Sequence, residues 1–161
     1  MGMMLLKGDE TPQDIIVLAY GLEEGLRKFY SDASQLAIET EVTAVLTKLA
    51  DIEVRHKQKL FDLFKRLDSE DTPIESFEKR VSTELMEGGF DSGALLEESG
   101  STFDSAAEVL NFAMMLEAQG MDLYMRYAEK SENAEVREIL FDMAEDEKAH
   151  LKSLGNLMEK V

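Results

Sequence analysis

Apolar residues recur at alternating steps of three and four over four long stretches of this 161-residue chain. That spacing places them on one face of an α-helix, and the two prolines, Pro12 and Pro73, lie outside the interiors of these stretches. The sequence therefore predicts an all-α protein. With 44% hydrophobic residues, a chain of this length can bury a core without covalent staples, so a single domain is expected.

Capping and breaking signals set the predicted helix boundaries. Thr11 is suited to cap the first helix, and Pro12 suits its first turn. Short links join the first helix to the second and the third to the fourth, so each pair should be an antiparallel hairpin. The predicted helices run from Pro12 to about Gln35, from about Thr40 to Leu67, from about Thr102 to Lys130, and from just after Asn133 almost to Val161.

The connection between the two helix pairs is about 35 residues long, which suits a crossover along the bundle and favours up-down-down-up topology. Within it, Thr72-Pro73-Ile74-Glu75 resembles a capping box. A short amphipathic helix should follow, end at Gly88-Gly89, and carry on one side Ile74, Phe77, Val81 and Leu85. Residues 12–161 are thus predicted to form a four-helix bundle, with residues 1–11 as an N-terminal tail.

Composition excludes several classes of function. The chain has no cysteine, so thiolate metal sites and thiol nucleophiles are ruled out, and any metal must be held by oxygen and nitrogen. A net charge of −17 disfavours nucleic acid and anionic membranes as partners. The opening segment, residues 1–6, is too short to span a membrane and lacks the basic flank of a signal peptide, so a cytoplasmic protein is expected.

The chain contains an internal repeat. A shift of 94 positions aligns residues 15–64 with residues 109–158 and gives 12 identities over 50 positions. The identical pairs include Glu23 with Glu117, Tyr30 with Tyr124, Glu53 with Glu147, and His56 with His150. Two related halves predict a bundle with a pseudo-twofold axis.

Each half carries one Glu-x-x-His motif on the apolar seam of its second helix, Glu53 with His56 and Glu147 with His150. A glutamate and a histidine three residues apart lie one turn apart on the same helix face, where both can reach one cation. The remaining helices each place one further glutamate, Glu23 or Glu117, on the inward face. Four buried carboxylates require neutralisation, so these residues are predicted to bind metal.

The predicted ligand set is that of a di-metal carboxylate bundle. Glu23 and His56 should bind one ion and Glu117 and His150 the other, while two glutamates bridge the pair, Glu53 and Glu147. Four carboxylates with two neutral imidazoles nearly balance two divalent ions and suit iron or manganese; zinc is also accepted. Iron is favoured for its chemistry.

Two further sets of residues are candidates for support. Tyr30 and Tyr124 follow the lone glutamates by seven residues and are candidate catalytic residues that hydrogen-bond a ligand carboxylate. Asp146 is a candidate support for a histidine. Methionines spread along the last two helices are interpreted as core filling, namely Met114, Met115, Met121, Met125, Met143 and Met158.

The whole motif set resembles the rubrerythrin branch of the ferritin-like superfamily. That branch carries Glu-x(6)-Tyr on helices one and three and Glu-x-x-His on helices two and four, and the resemblance covers about Pro12 to Lys160. It implies a ferritin-like four-helix bundle, a pair of iron ions and peroxide reduction. No cysteines are present for an attached rubredoxin domain, so electrons should come from a separate donor such as a rubredoxin-like protein. Gly120 stands where the family has an extra glutamate, which removes a residue used in its ligand switching.

The leading functional prediction is a diiron oxidoreductase that reduces hydrogen peroxide or dioxygen, as a homodimer. Two alternatives remain from the sequence. One is an iron-handling, ferroxidase-like module that does not turn over peroxide. The other is a structural or regulatory domain whose metal position holds zinc.

Overall fold

The computed structural model describes residues 8–37, 39–87 and 105–161. Over these ranges the chain forms five helices and no strand, which confirms the predicted all-α class. The helices are α1 (Pro12–Leu36), α2 (Thr40–Leu67), α3 (Ile74–Glu87), α4 (Ala106–Lys130) and α5 (Ala134–Met158). Within the described residues, none of them is long and apolar enough to cross a lipid bilayer.

Side-chain caps fix the start of three helices. At α1, the Thr11 hydroxyl accepts from the amide of Asp14, whose carboxylate accepts from the amide of Thr11, so the predicted cap is confirmed. Asn133 caps α5 by accepting from two backbone amides. Helix α4 begins at Ala106 rather than near Thr102, because Ser105 is extended and its hydroxyl accepts from the amide of Glu108; residues 102–104 lie outside the described ranges.

Helix α3 packs on the first helix pair through an aromatic cluster. Phe77 is fully buried, and its ring lies 4.9 Å from Tyr20, 5.2 Å from Phe61 and 4.6 Å from Phe64. Val81 is also buried, as predicted, whereas the predicted partner Ile74 is 37% exposed. The side chain of residue 85 and the predicted stop at residues 88–89 lie outside the described part of the chain.

Helix directions follow from three sets of cross-helix contacts. The Gln13 amide of α1 donates to the Leu67 carbonyl of α2, at opposite ends of the two helices, so this pair is antiparallel. Arg66, near the C-terminal end of α2, pairs with Glu135, near the N-terminal end of α5, so these two helices are also antiparallel.

Contacts between α1 and α4 complete the topology. The hydroxyl of Tyr30 donates to Glu117, and that of Tyr124 donates to Glu23, so the two helices run antiparallel. Since α1 opposes α2 and α4, and α2 opposes α5, the bundle has the predicted up-down-down-up order.

The core consists of two apolar clusters separated along every long helix by polar residues. The first half of α1 and the last half of α2 contribute to one cluster, and their other halves contribute to the second. Met143 is fully buried as core filling predicts, but Met115 and Met125 are 37% and 42% exposed. For these two residues the core-filling interpretation is wrong, because they lie on the outer face of α4.

Candidate metal centre

The six predicted ligands meet in the middle of the bundle, between the two apolar clusters. Helices α1 and α4 each supply one glutamate, and α2 and α5 each supply a glutamate and a histidine one turn apart. None of the six is more than 5% exposed: Glu23, Glu53, His56, Glu117, Glu147 and His150.

His56 points its Nδ1 atom at three carboxylates. The distances are 3.1 Å to Glu23 Oε2, 3.0 Å to Glu53 Oε2 and 3.3 Å to Glu147 Oε1. These four side chains place their ligand atoms within 4.8 Å of one another. We call the group that includes Glu23 and His56 the first position.

His150 repeats this arrangement. Its Nδ1 atom lies 3.2 Å from Glu147 Oε2, 3.4 Å from Glu53 Oε1 and 3.4 Å from Glu117 Oε1. We call the group that includes Glu117 and His150 the second position. The two positions share Glu53 and Glu147, and the imidazole rings stack with centroids 5.6 Å apart. This is the division of residues that the sequence predicts for two terminal and two bridging glutamates.

The two tyrosines hydrogen-bond the terminal glutamates crosswise. Tyr30 of α1 donates to Glu117 of α4, and Tyr124 of α4 donates to Glu23 of α1. Burial and the nearby carboxylates raise the pKa of both phenols, which therefore stay protonated as donors. Each half thus orients the terminal carboxylate of the other half, a pairing that the sequence does not reveal.

Several buried carboxylate oxygens have no hydrogen-bond partner among the described residues: Glu53 Oε1, Glu117 Oε2 and Glu147 Oε1. An unpaired buried anion costs several kcal/mol, so this arrangement calls for a cation. The donor set consists of carboxylate oxygens and imidazole nitrogens, which suits iron, manganese or zinc. The residues therefore fit a pair of divalent ions.

Without a cation, protons limit the charge of the cluster. Burial and repulsion from Glu23 raise the pKa of Glu53 to about 12, and burial raises that of Glu117. Burial alone would lower the pKa of each histidine, but the surrounding carboxylates have the larger, opposite effect. They raise the pKa of His56, and they raise the pKa of His150 to about 9. For Glu147, the interactions with Glu117 and with both histidines outweigh burial and lower the pKa to about 2. Metal binding must displace protons from the histidines.

Asp146 supports one histidine, as the sequence suggested. Its Oδ2 atom lies 3.1 Å from Nε2 of His56 and 3.4 Å from Nζ of Lys59. The side chain is 45% exposed, so the contact links the buried centre to the surface.

An ionic clamp beside the first position escaped the sequence reasoning. Glu24 accepts from Lys57 at 2.7 Å and binds Arg27 through two nitrogens, at 2.7 and 2.8 Å. Glu24 and Lys57 are the chain neighbours of Glu23 and His56, so the clamp ties α1 to α2 at the level of the metal ligands. The Glu24–Arg27 spacing of three residues was a readable signal; the Lys57 contact needed the register of the two helices.

Gly120 lies against Glu147. A Cβ atom there would stand 4.0 Å from Glu147 Cγ and 3.6 Å from Leu22 Cδ2, which are ordinary contact distances. The position offers space beside the centre and no metal-binding atom.

Comparisons with known proteins agree with this fold. The Rubrerythrin family model matches residues 108–161, which cover the second helix pair and its four candidate ligands or supports: Glu117, Tyr124, Glu147 and His150. A solved structure described as a hypothetical protein from Pyrococcus furiosus aligns with a TM-score of 0.68 at 14% identity, over 95% of this chain and 91% of that one, which shows the fold. A search of curated proteins found no significant match.

Proposed function

We propose that this chain is a diiron-carboxylate oxidoreductase, on the premise that it is rubrerythrin-like and folds as a ferritin-like bundle. In this proposal the protein reduces hydrogen peroxide or dioxygen with electrons from a separate donor. The observation that carries the proposal is the buried cluster of four glutamates and two histidines, which forms two overlapping groups of ligand atoms. An iron pair bound there would supply one-electron redox chemistry and a coordination position for the small oxidant.

The residues of this chain would hold the ions and would set their surroundings. Glu53 and Glu147 face both positions, so each can bridge, while Glu23 and Glu117 each serve one position. Tyr30 and Tyr124 keep the terminal carboxylates oriented through neutral phenol donors. The two apolar clusters limit access of bulk water to the centre, which favours a small oxidant over a large substrate.

Electrons must reach the centre from outside these residues. Reduction of one hydrogen peroxide to two waters consumes two electrons and two protons, and the chain has no cysteine for a rubredoxin-type iron site. We propose that the donor is a separate redox protein, for which a rubredoxin-like partner is the natural candidate. We also propose that the chain acts as a homodimer.

One observation favours a second function, an iron-handling or ferroxidase-like module. Gly120 sits beside Glu147 without a ligand atom, where the rubrerythrin type carries another glutamate. A centre with fewer carboxylates binds its ions less firmly, so oxidised iron could be released rather than reduced again in place.

A single experiment separates the two functions. Protein loaded anaerobically with ferrous iron is mixed with peroxide, and the oxo-bridged absorption and the loss of peroxide are followed; a chemical reductant is then added with further peroxide. Repeated turnover with iron retained supports the oxidoreductase, and one oxidation followed by release of iron supports iron handling. Absence of any stoichiometric oxidation would remove both. Glu145→Gln, an exposed neighbour of the site, is the matched control.

A further inference from the structure

The two metal positions have different supports, although the halves that build them are related by sequence. We propose that Asp146 is a positioning residue that holds His56 on its metal and makes the first position the tighter of the two. This inference rests on the metal centre in the proposed function but not on any redox activity.

Asp146 fixes the outer nitrogen of His56. The Nδ1 atom faces Glu23 Oε2 at 3.1 Å and Glu53 Oε2 at 3.0 Å, whereas Nε2 lies 3.1 Å from Asp146 Oδ2. A neutral imidazole that binds metal through Nδ1 carries its proton on Nε2, and Asp146 accepts that proton in a hydrogen bond. The contact sets the tautomer and the ring orientation, and it increases the basicity of Nδ1.

The second position lacks this support. In the internal repeat, the counterpart of Asp146 is Ile52, a partly buried residue of an apolar cluster. Throughout the described ranges, the carboxylate contacts of His150 are all made by Nδ1. Outer partners of metal-binding histidines change metal affinity by about 10- to 100-fold, so the two positions should differ on that scale.

Asp146 is itself held in place from outside. Lys59 Nζ lies 3.4 Å from the same Oδ2 atom that contacts His56, and both side chains are about half exposed. Asp146 belongs to α5 while His56 and Lys59 belong to α2, so the contact also joins the two halves of the bundle. The repeat counterpart of Lys59 is Ser153, which carries no charge.

The ionic clamp provides an independent difference between the halves. Glu24 joins Lys57 and Arg27 next to the first position, at distances of 2.7 to 2.8 Å. The counterparts of these three residues in the second half are apolar: Ala118, Leu151 and Met121. The ligands of the first position are therefore held in place from two sides. These side chains lose less conformational entropy when a metal binds, which favours binding at this position.

Titration with Co²⁺ tests the inference through its visible absorption, with no activity measurement. The wild-type protein should bind two ions in two steps about 10- to 100-fold apart. Asp146→Ala should weaken the tighter step by about that factor and bring the steps together, and Asp146→Asn, which keeps a carbonyl acceptor, should restore part of the difference. Glu145→Ala removes the same charge from an adjacent exposed site and should leave both steps unchanged.

Two further measurements assign the effect to His56. In a His56→Ala background, Asp146→Ala should have no additional effect on the remaining step, since its action passes through that ring. In the NMR spectrum of the cobalt-loaded protein, one paramagnetically shifted imidazole N–H proton should exchange slowly with water. In Asp146→Ala, the exchange of this proton should become fast. Two equal steps in the wild type, or an effect of Asp146→Ala that persists without His56, overturn the inference while leaving the metal centre intact. No cobalt binding at all contradicts the metal centre as well.

Discussion

The first and second helix pairs agree at the candidate metal ligands and diverge directly behind them. Glu23, Glu53 and His56 have identical counterparts at the same register, and each set is buried in the same layer of the bundle. By contrast, the residues around these ligands differ between the two positions: those beside the first position, Asp146 of α5 and the clamp of Glu24, Arg27 and Lys57, are charged, whereas their repeat counterparts are apolar. The residues that supply candidate ligand atoms match between the halves, whereas the residues behind them each affect one position and differ.

The divergence also reaches the inner surface. Leu26 in the first half is buried at 2% exposure, and its counterpart in the second half is Gly120. The side chain of Leu26 fills one apolar cluster, while Gly120 leaves space beside Glu147. A pseudo-symmetric frame thus surrounds a centre whose two sides are chemically different.

The largest effect should come from the residues that the halves share. Glu53→Gln keeps the volume but removes a carboxylate that faces both positions, so the bound metal should fall from about two ions per chain to below about one. His150→Ala should remove only the second ion. Metal analysis after gel filtration measures both, with Glu145→Gln as control. If Glu53→Gln retains two ions, the glutamate does not bridge.

Removal of metal should be the next largest effect. An ion that binds only the folded state, at a concentration of 1,000 times its Kd, stabilises that state by about 4 kcal/mol. Removing the ion with a chelator should therefore lower the Tm by roughly 10 °C. Thermal unfolding with and without a chelator measures the shift. The Glu53→Gln variant should show little chelator dependence; an equal shift in both proteins would place the stabilising ions elsewhere.

Crosswise hydrogen bonds predict equal effects in the two halves. Tyr30→Phe leaves Glu117 without its donor, and Tyr124→Phe does the same to Glu23. Each variant of the metal-free protein should lose about 1–3 kcal/mol of unfolding free energy, because a buried carboxyl group loses its hydrogen-bond partner. Urea denaturation provides the comparison. A marked difference between the variants would show that the divergence of the halves extends to the phenols.

The smallest effect should come from the clamp of the first half. Hydrogen bonds from Arg27 and Lys57 outweigh partial burial and lower the pKa of Glu24 from 4.5 to about 2. The folded pKa lies below the unfolded one, so Glu24 contributes stability above pH 4.5 that is lost as pH falls toward 2. Because a third of the side chain is exposed, water screens the pairs and the contribution should stay below about 1 kcal/mol.

Glu24→Gln tests this sign directly. The unfolding free energies of the wild type and the variant should converge as pH is lowered from 5 to about 2. Glu145→Gln, which is far more exposed, should show no such convergence. A difference that is constant with pH would mean that Glu24 acts by packing rather than by charge.

Sequence alone predicted the parts of the molecule that depend on helical periodicity. The apolar steps placed four long helices, Thr11 and Pro12 marked the start of α1, and the spacing of glutamate and histidine placed six polar residues in one layer. Each of these follows from local geometry, because residues three or four apart share a helix face whatever the rest of the chain does.

Features that depend on the register between helices were beyond that reasoning. The crosswise partners of the tyrosines require the antiparallel pairing of α1 with α4. The contact of Lys57 with Glu24 requires the alignment of α1 with α2, and the exposure of Met115 and Met125 depends on which side of α4 remains uncovered. A single helix pattern contains none of this information.

Anomalous diffraction from crystals of the metal-loaded protein tests the central claim most directly. The account predicts two strong peaks in the polar layer of the bundle, one between Glu23 and His56 and the other between Glu117 and His150, with Glu53 and Glu147 in contact with both. A single peak at the surface, or none between the two histidines, would contradict it.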